Sequence, residues 1–367
     1  MRYFSFANQM RVSPGLRLLP LLLIFLTVGA SQPPFTVPAR TARPLVGFTF
    51  ISDRAVAAGF EPEAALAELL HRLHPDLVRI PIYWDLVAPV RGSLDFTAVD
   101  GLLQTIHEYN LRRHQTQVIL VAGVRNLAWP ELHLPSWVDT SAGLDLGRIT
   151  TSAAYLAYLE TSIRRYAISP LLYAWQLENE PLDSTNQLLG EVAIDSNRMA
   201  GEVALLKAID PVHQVIVTTY NSASVSLDLQ ATGSLAWFFQ LLPGPKPAGH
   251  PRPALDLADI LGLDVYVDTP STPLEEASVT ERIGWKAATL TYWADVALLS
   301  GKEVWITEMQ GSTWNGDPGF RQEDLLESAQ QYSGTGVGAV LLWGVEDWLS
   351  SPGWMLAGQA AFQTLRK

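Results

Sequence analysis

The sequence predicts an α/β protein with a single (β/α)8 TIM barrel from residue 45 to residue 367. Short apolar runs alternate eight times with longer amphipathic stretches, which is the pattern of parallel strands joined by helices. The fourth and seventh runs end in glutamates, and the carboxyl ends of barrel strands are where active-site loops gather. An open doubly wound sheet is the alternative, which is disfavoured because no glycine-rich turn follows the first run.

The predicted elements follow from two hydrophobic periods. Continuous apolar runs indicate strands over residues 46–52, 76–83, 117–124, 171–175, 214–219, 259–267, 303–308 and 338–344. Apolar residues at helical spacing indicate helices over residues 62–73, 96–109, 151–166, 194–209, 227–241, 281–299, 323–332 and 358–365. No repeat beyond the βα unit and no second domain are expected.

The N-terminal segment has the features of an export signal. Arginines precede an apolar run over residues 18–26, and small residues just before Ser31 offer a cleavage site. The run is short for a membrane span, so a cleaved signal peptide over residues 1–30 is favoured over an uncleaved signal anchor. Residues 31–44, rich in Pro, Thr and Ala, are predicted to be a linker. We expect a secreted or extracytoplasmic protein, attached to a membrane only if the segment is kept as an anchor.

The composition excludes several classes of function. With 48% hydrophobic and 17% charged residues, the chain has ample material for a large core. The net charge of −12 argues against a nucleic-acid partner. The absence of cysteine excludes disulfides, thiolate metal sites and cysteine nucleophiles. No zinc-protease or calcium-loop motif and no Gly-x-Ser-x-Gly motif is present, so we predict no metal, no cofactor and no esterase activity.

Glu180 and Glu308 end the fourth and seventh runs and form a candidate catalytic pair. Hydrolysis of a β-glycoside with retention needs two carboxyl groups about 5 to 5.5 Å apart, one as acid/base and one as nucleophile. One must be protonated near neutral pH and the other ionised, which their neighbours can arrange. The structural alternative is that both acids cap helices or pair with arginines. Glu178, two residues before Glu180, is a further acid that supports it, pairs with a base, or shares its side of the strand.

The motif Asn179-Glu180-Pro181 together with Glu308 resembles the clan A glycoside hydrolases, the superfamily of retaining cellulases, mannanases, xylanases and β-galactosidases. The likeness extends over residues 46–348. It implies that Glu180 is the acid/base, that Glu308 is the nucleophile and that Asn179 holds the substrate 2-hydroxyl.

The same resemblance implies three further site residues. Arg79 matches the strand-two arginine beside the nucleophile, Tyr266 matches a strand-six tyrosine that contacts it, and Trp343 matches the tryptophan that floors the sugar subsite. The structural alternatives are an arginine that neutralises a core acid and two rings that pack in the core. The clan often has a histidine near the end of the third strand, whereas this chain has Val124-Arg125, which disfavours the cellulase-type subfamilies.

The loop after the third strand, residues 125–137, is long and aromatic. Its tryptophans, Trp129 and Trp137, are candidates for a platform that binds further sugars, with a hydrophobic lid on the barrel rim as an equal alternative.

Together these observations predict a secreted retaining hydrolase of β-glycosidic bonds in an oligosaccharide, polysaccharide or glycoconjugate. The alternative from another class is a catalytically inactive carbohydrate-binding barrel at the cell surface. A weaker one is a barrel enzyme of other chemistry whose acids bind a divalent cation. The motifs define the bond that is cleaved, and they carry no information on the sugar, on endo or exo action, or on the oligomeric state.

Overall fold

The computed structural model describes residues 43–112, 114–128, 131–183, 193–220, 251–267, 278–313 and 319–367. All described residues belong to one compact unit within residues 37–367. The predicted signal segment, residues 1–30, and all but the end of the predicted linker, residues 31–44, lie outside the described residues. No helix in the described part of the chain is long and apolar enough to cross a membrane.

The strands form one closed parallel barrel in sequence order, with β1 pairing β8, which confirms the predicted (β/α)8 fold. Strands β1 to β8 are Leu45–Thr49, Leu77–Tyr83, Gln117–Gly123, Leu172–Leu177, Gln214–Tyr220, Ile260–Val265, Glu303–Gln310 and Ala339–Trp343. All eight coincide with predicted strands to within a few residues, because buried parallel strands read as continuous apolar runs.

Helices surround the described part of the barrel, with a 3-10 turn over Val345–Ser350. Their bounds are Ser52–Ala57, Pro62–Leu73, Trp84–Val87, Thr97–Asn110, Leu146–Thr150, Ala153–Tyr166, Ser196–Ile209, Pro251–Leu257, Val279–Leu299, Gln322–Tyr332 and Pro352–Leu365. The helix predicted over residues 227–241 lies outside the described residues. The start predicted at residue 358 was wrong, since the closing helix begins at Pro352, where a proline costs no helical hydrogen bond.

Alternation along each strand divides the core into two layers. In β2, Val78, Ile80 and Ile82 pack outwards in the main cluster between strands and helices. Leu77 belongs to a second cluster, formed by inward-facing residues of β2 to β8. Arg79 shares the face of Leu77 because side chains two residues apart lie on the same side of a strand. The arginine predicted for the site therefore points into the barrel.

Strand β7 contains one extra residue, which changes the direction of its last side chains. Its pairing with β6 runs from Leu263–Ile306 directly to Asp264–Glu308, so that Thr307 is bulged out of register. Trp305 belongs to the inward-facing cluster, and strict alternation from it would turn Glu308 outwards. A bulge re-aims the side chains that follow it, and here it returns Glu308 to the interior.

Candidate active site

The acids of the fourth strand lie in a tight turn just beyond the end of β4. The strand ends at Leu177, well before Pro181. Glu178 and Glu180 both have left-handed backbone conformations, with φ of 57° and 45°. Such conformations are unfavourable for side chains other than glycine and concentrate at functional sites. Asn179 lies between them, and all three residues are buried.

Glu308 lies at the end of β7 between a cation and a phenol. Arg79 Nη2 donates to its Oε1 at 2.7 Å, and the Tyr266 hydroxyl donates to its Oε2 at 2.5 Å. Burial, followed by the charge of Glu308, raises the pKa of Tyr266 well above its ordinary value, so this phenol remains a donor. Hydrogen bonds to both oxygens, one of them from a cation, stabilise an ionised carboxylate.

Arg79 is itself held rigidly. It is fully buried, and besides Glu308 it donates from Nε to Thr49 Oγ1 at 2.8 Å and from Nη1 to Gln176 Oε1 at 2.9 Å. Three strands therefore fix the guanidinium that binds Glu308. The structure brings the predicted Arg79, Tyr266 and Glu308 together.

Glu180 has very different surroundings. Its backbone N–H donates to Thr218 Oγ1 on β5 at 2.8 Å. Burial raises the pKa of its carboxyl well above the ordinary value, and the negative charges of Asp264, Glu131 and Glu308 raise it further. The positive charge of Arg125 acts in the opposite direction on this pKa. Burial and like charges both favour the neutral form of a carboxyl, so Glu180 is suited to carry a proton near neutral pH.

Asn179 is oriented by the neighbouring strands. Its backbone N–H donates to Arg125 O at 2.8 Å, and its Oδ1 accepts from Gln176 Nε2 at 3.2 Å and from Thr218 Oγ1 at 3.4 Å. Because Oδ1 is the accepting end of the amide, Nδ2 is the end that can donate to a hydroxyl oxygen. This is the polarity that binding a sugar hydroxyl would use.

Trp343, the last residue of β8, packs in a small cluster with Tyr266. Its ring lies 5.9 Å from the Arg79 guanidinium, and only 6% of the residue is exposed. The indole N–H is buried, and no residue in the described ranges accepts a hydrogen bond from it. The predicted subsite residue therefore lies beside the Arg79–Glu308 pair.

Of the two tryptophans in the loop after β3, the structure describes only Trp137. Trp129 lies outside the described residues. Trp137 is half-buried, donates from Nε1 to Ala88 O at 2.8 Å and packs edge-on against Trp84 at 5.6 Å. These contacts favour the lid alternative for Trp137, because its polar edge and one side of its ring are used within the protein.

Glu178 turns away from Glu180 and towards the helix Ala153–Tyr166. Its oxygens accept from the Tyr155 hydroxyl and from the Arg125 backbone N–H, each at 2.5 Å. Burial raises the pKa of Glu178 to about 7, against the lowering effect of the hydrogen bond from Tyr155. It therefore supports the turn from behind, as one of the alternatives drawn from the sequence anticipated.

Sequence reasoning missed two acids of the site, Asp264 and Glu131. Asp264 on β6 is buried and accepts from Thr307 Oγ1 at 2.7 Å. Glu131 has a left-handed backbone (φ 60°), and burial raises its pKa to about 7, with opposition from Arg125 and reinforcement from Glu308. For Asp264 a signal was present, because a carboxyl two residues before Tyr266 shares its strand face. For Glu131, in an irregular loop, no periodic signal existed.

No protein-family model matches the sequence, and no curated protein matches it either. The fold, by contrast, is that of solved glycoside hydrolases. The chain is similar to a GH5_18 protein from Streptomyces cattleya, solved in complex with GlcNAc, with a TM-score of 0.57 and 14% identity over 82% of this chain and 70% of that one.

Two further solved structures share the barrel. An exo-beta-1,4-mannosidase from Opitutaceae bacterium strain TAV5 has a TM-score of 0.54 and 14% identity over 88% of this chain and 58% of that one. Endo-glycoceramidase II from Rhodococcus sp., solved as a lactosyl-enzyme intermediate, has a TM-score of 0.52 and 16% identity over 83% of this chain and 73% of that one. The clan A resemblance inferred from the motifs is thus matched in the fold.

Across the described ranges, no three histidine, aspartate or glutamate side chains are grouped as a metal site would require.

Proposed function

We propose that the protein is a glycoside hydrolase that cleaves β-glycosidic bonds with retention, with Glu180 as acid/base and Glu308 as nucleophile. One observation supports this most directly. Two carboxyl groups that influence each other electrostatically have opposite surroundings, since Glu308 binds Arg79 and Tyr266 while burial and other acids raise the pKa of Glu180. When the surroundings of two catalytic carboxyl groups differ in this way, the group with the raised pKa is assigned as the acid and the ionised one as the nucleophile.

In the first step, a carboxylate oxygen of Glu308 attacks the anomeric carbon while Glu180 transfers its proton to the glycosidic oxygen. The bond between the anomeric carbon and that oxygen breaks, and a glycosyl ester of Glu308 forms. Glu180 is left as a carboxylate. Arg79 and Tyr266 then lose the charge they had stabilised, which makes the ester carboxylate a good leaving group in the second step.

In the second step, Glu180 takes a proton from water, and the water oxygen attacks the anomeric carbon. The ester bond breaks, Glu308 returns as a carboxylate and Glu180 is protonated again. Two inversions at the same carbon give net retention. No electrons are gained or lost, so the cycle needs no redox cofactor.

Asn179 and Trp343 are the residues we propose for substrate binding. The donor end of the Asn179 amide suits the 2-hydroxyl oxygen, and the Trp343 ring and its buried N–H suit an apolar sugar face and a hydroxyl oxygen. The structural neighbours motivate the test substrates, since two of them were solved with GlcNAc and with Manb1-4GlcNAc. A panel of aryl β-glycosides, Manβ1-4GlcNAc, a lactosyl glycolipid and xylo-oligosaccharides covers these neighbours and the xylanases of the clan that the motifs resemble.

The roles of the two glutamates are tested by azide rescue. Glu308→Ala should abolish turnover, and azide should then yield a glycosyl azide of inverted configuration. Glu180→Ala should still form the glycosyl-enzyme from substrates with good leaving groups, and azide should give a product of retained configuration. The opposite pattern would exchange the roles, and normal turnover in either variant would end the proposal.

Glu303→Ala is the matched control, because Glu303 is an exposed acid at the opposite end of the same strand. It should keep wild-type turnover. Binding of sugars by the wild type without turnover would support the inactive carbohydrate-binding barrel instead. Turnover that a chelator abolishes would favour the barrel enzyme with a bound divalent cation.

A further inference from the structure

A third buried carboxyl group, Asp264, stands next to the two proposed catalytic glutamates. It lies on β6 directly opposite Glu308 in the pairing of β6 with β7. Its Oδ1 accepts from Thr307 Oγ1 at 2.7 Å, which involves the residue displaced by the β7 bulge. Only 7% of Asp264 is exposed. The bulge thus directs the carboxyl of Glu308 into the barrel interior, on the same side as that of Asp264.

The other oxygen of Asp264, Oδ2, receives no hydrogen bond from the described residues. Among the charges that raise the pKa of Glu180, that of Asp264 has the largest effect, ahead of Glu131 and Glu308. In the described part of the chain, no N–H or hydroxyl group donates to Asp264 Oδ2, which is buried. Two carboxylates repel each other and neither can donate, and a buried carboxylate oxygen without a donor is costly, so a single proton held by the two carboxyl groups removes both penalties.

The charged groups around the pair reinforce this conclusion. Burial raises the pKa of Asp264 well above its ordinary value, and the charge of Glu308 raises it further, against the opposing effect of Arg79. On the side of Glu180, Glu131 adds negative charge.

Two cations face these acids, and each has its own carboxylate. Arg79 is ion-paired with Glu308 at 2.7 Å, and Arg125 lies 3.9 Å from Glu131. Tyr266 remains neutral and donates to Glu308. The surroundings therefore disfavour two full negative charges on Asp264 and Glu180.

We propose that Asp264 and Glu180 share a single proton in the resting protein, and that Asp264 acts as a positioning residue that retains this proton at the acid/base. The shared proton is a property of the resting protein. The catalytic role of Asp264 rests on the function proposed above for Glu180. Asp264 does not transfer the proton to substrate.

The shared proton also balances charge during the first chemical step. When Glu180 gives its proton to the leaving oxygen, the Asp264–Glu180 pair gains a negative charge. At the same time Glu308 loses its negative charge by forming the glycosyl ester. The summed charge of the three carboxyl groups is unchanged, so the cost of bringing two carboxylates together is offset within the same step.

The substitution Asp264→Asn tests the proposal, because asparagine keeps an acceptor for Thr307 and gives Glu180 a neutral donor. The Glu180 carboxyl is followed by carbon-13 NMR with labelled glutamate, and its signal is assigned by its loss in Glu180→Gln. In Asp264→Asn the titration midpoint of Glu180 should fall by about one pH unit or more. The basic limb of kcat/KM against pH should move to lower pH by a similar amount.

Asp256→Asn is the matched control, since Asp256 is an exposed acid paired with Arg252 on the preceding helix, and it should leave both readouts unchanged. If the Glu180 midpoint does not move in Asp264→Asn, the proposal is wrong, even if turnover falls at every pH. If the midpoint falls but the wild-type protein hydrolyses no glycoside, the shared proton is supported and the proposed function is wrong.

A reciprocal measurement covers the case in which Asp264→Asn does not fold. With labelled aspartate, the Asp264 signal should titrate at lower pH in Glu180→Gln than in the wild type, because two groups that share a proton shift each other equally. An unchanged Asp264 midpoint in Glu180→Gln would overturn the proposal.

Discussion

Replacing Arg79 by methionine should destabilise the protein strongly. Arg79 is fully buried and donates to Glu308, Gln176 and Thr49. Methionine fills much of the volume but leaves the Glu308 carboxylate buried without its cation. Removing one partner of a buried ion pair costs about 3–5 kcal/mol, most of it from the charge left behind. We expect the free energy of unfolding of Arg79→Met to fall by an amount in this range.

The origin of that loss is tested by adding Glu308→Gln to Arg79→Met. The double variant has no unpaired charge, so it should be more stable than Arg79→Met alone. Urea unfolding followed by tryptophan fluorescence measures the free energies, provided that the urea dependence is the same in each variant. Arg164→Met is the control, because its ion pair with Glu160 is exposed on a helix and should be worth about 0.3–0.5 kcal/mol.

Two results would refute this reasoning. One is a loss below about 1 kcal/mol in Arg79→Met, the size expected of a solvent-exposed pair. The other is additivity, in which adding Glu308→Gln to Arg79→Met lowers the free energy of unfolding by as much as Glu308→Gln lowers it in the wild type. Either result would mean that Arg79 does not compensate a buried charge on Glu308.

Three further predictions concern other parts of the chain. Burial raises the pKa of Glu346 from 4.5 to about 7, so the folded state holds a proton that the unfolded chain has lost. The free energy of unfolding should therefore fall as the pH rises through this interval. Glu346→Gln should make this decrease, measured between pH 4 and 8, smaller by up to about 3 kcal/mol. Gly123 has φ 150°, and an added Cβ would lie 2.5 Å from the Glu178 carboxyl carbon, so Gly123→Ala should cost about 1–3 kcal/mol from overpacking and a similar amount from strain. Gly201→Ala, in an open helical position, should instead stabilise by about 0.5–1 kcal/mol in the same urea assay. We propose that the native protein is exported, so N-terminal sequencing should find Ser31 at or near the mature start, and an intact Met1 on a membrane-bound species would contradict this.

The sequence by itself determined the barrel and the placement of the two proposed catalytic glutamates. Apolar runs and helical periods record which faces are buried, and for the helix Pro62–Leu73 they predicted both ends correctly. Glu180 and Glu308 follow from their positions at the ends of two strands, because a barrel gathers the carboxyl ends of its strands at one mouth. A local pattern was enough for these conclusions.

Only the tertiary structure decided how the side chains of the site are directed and which of them meet. The alternation of β7 would send Glu308 outwards, and the bulge at Thr307 is visible only in the pairing of β7 with its neighbours β6 and β8. The Glu178 carboxyl is directed towards the Tyr155 hydroxyl and the Arg125 backbone N–H, and Asp264 on β6 raises the pKa of Glu180, which follows β4. Bulges and contacts between strands depend on the register of neighbours that are distant in sequence. A hydrophobic pattern records the burial of each residue and contains no information on that register.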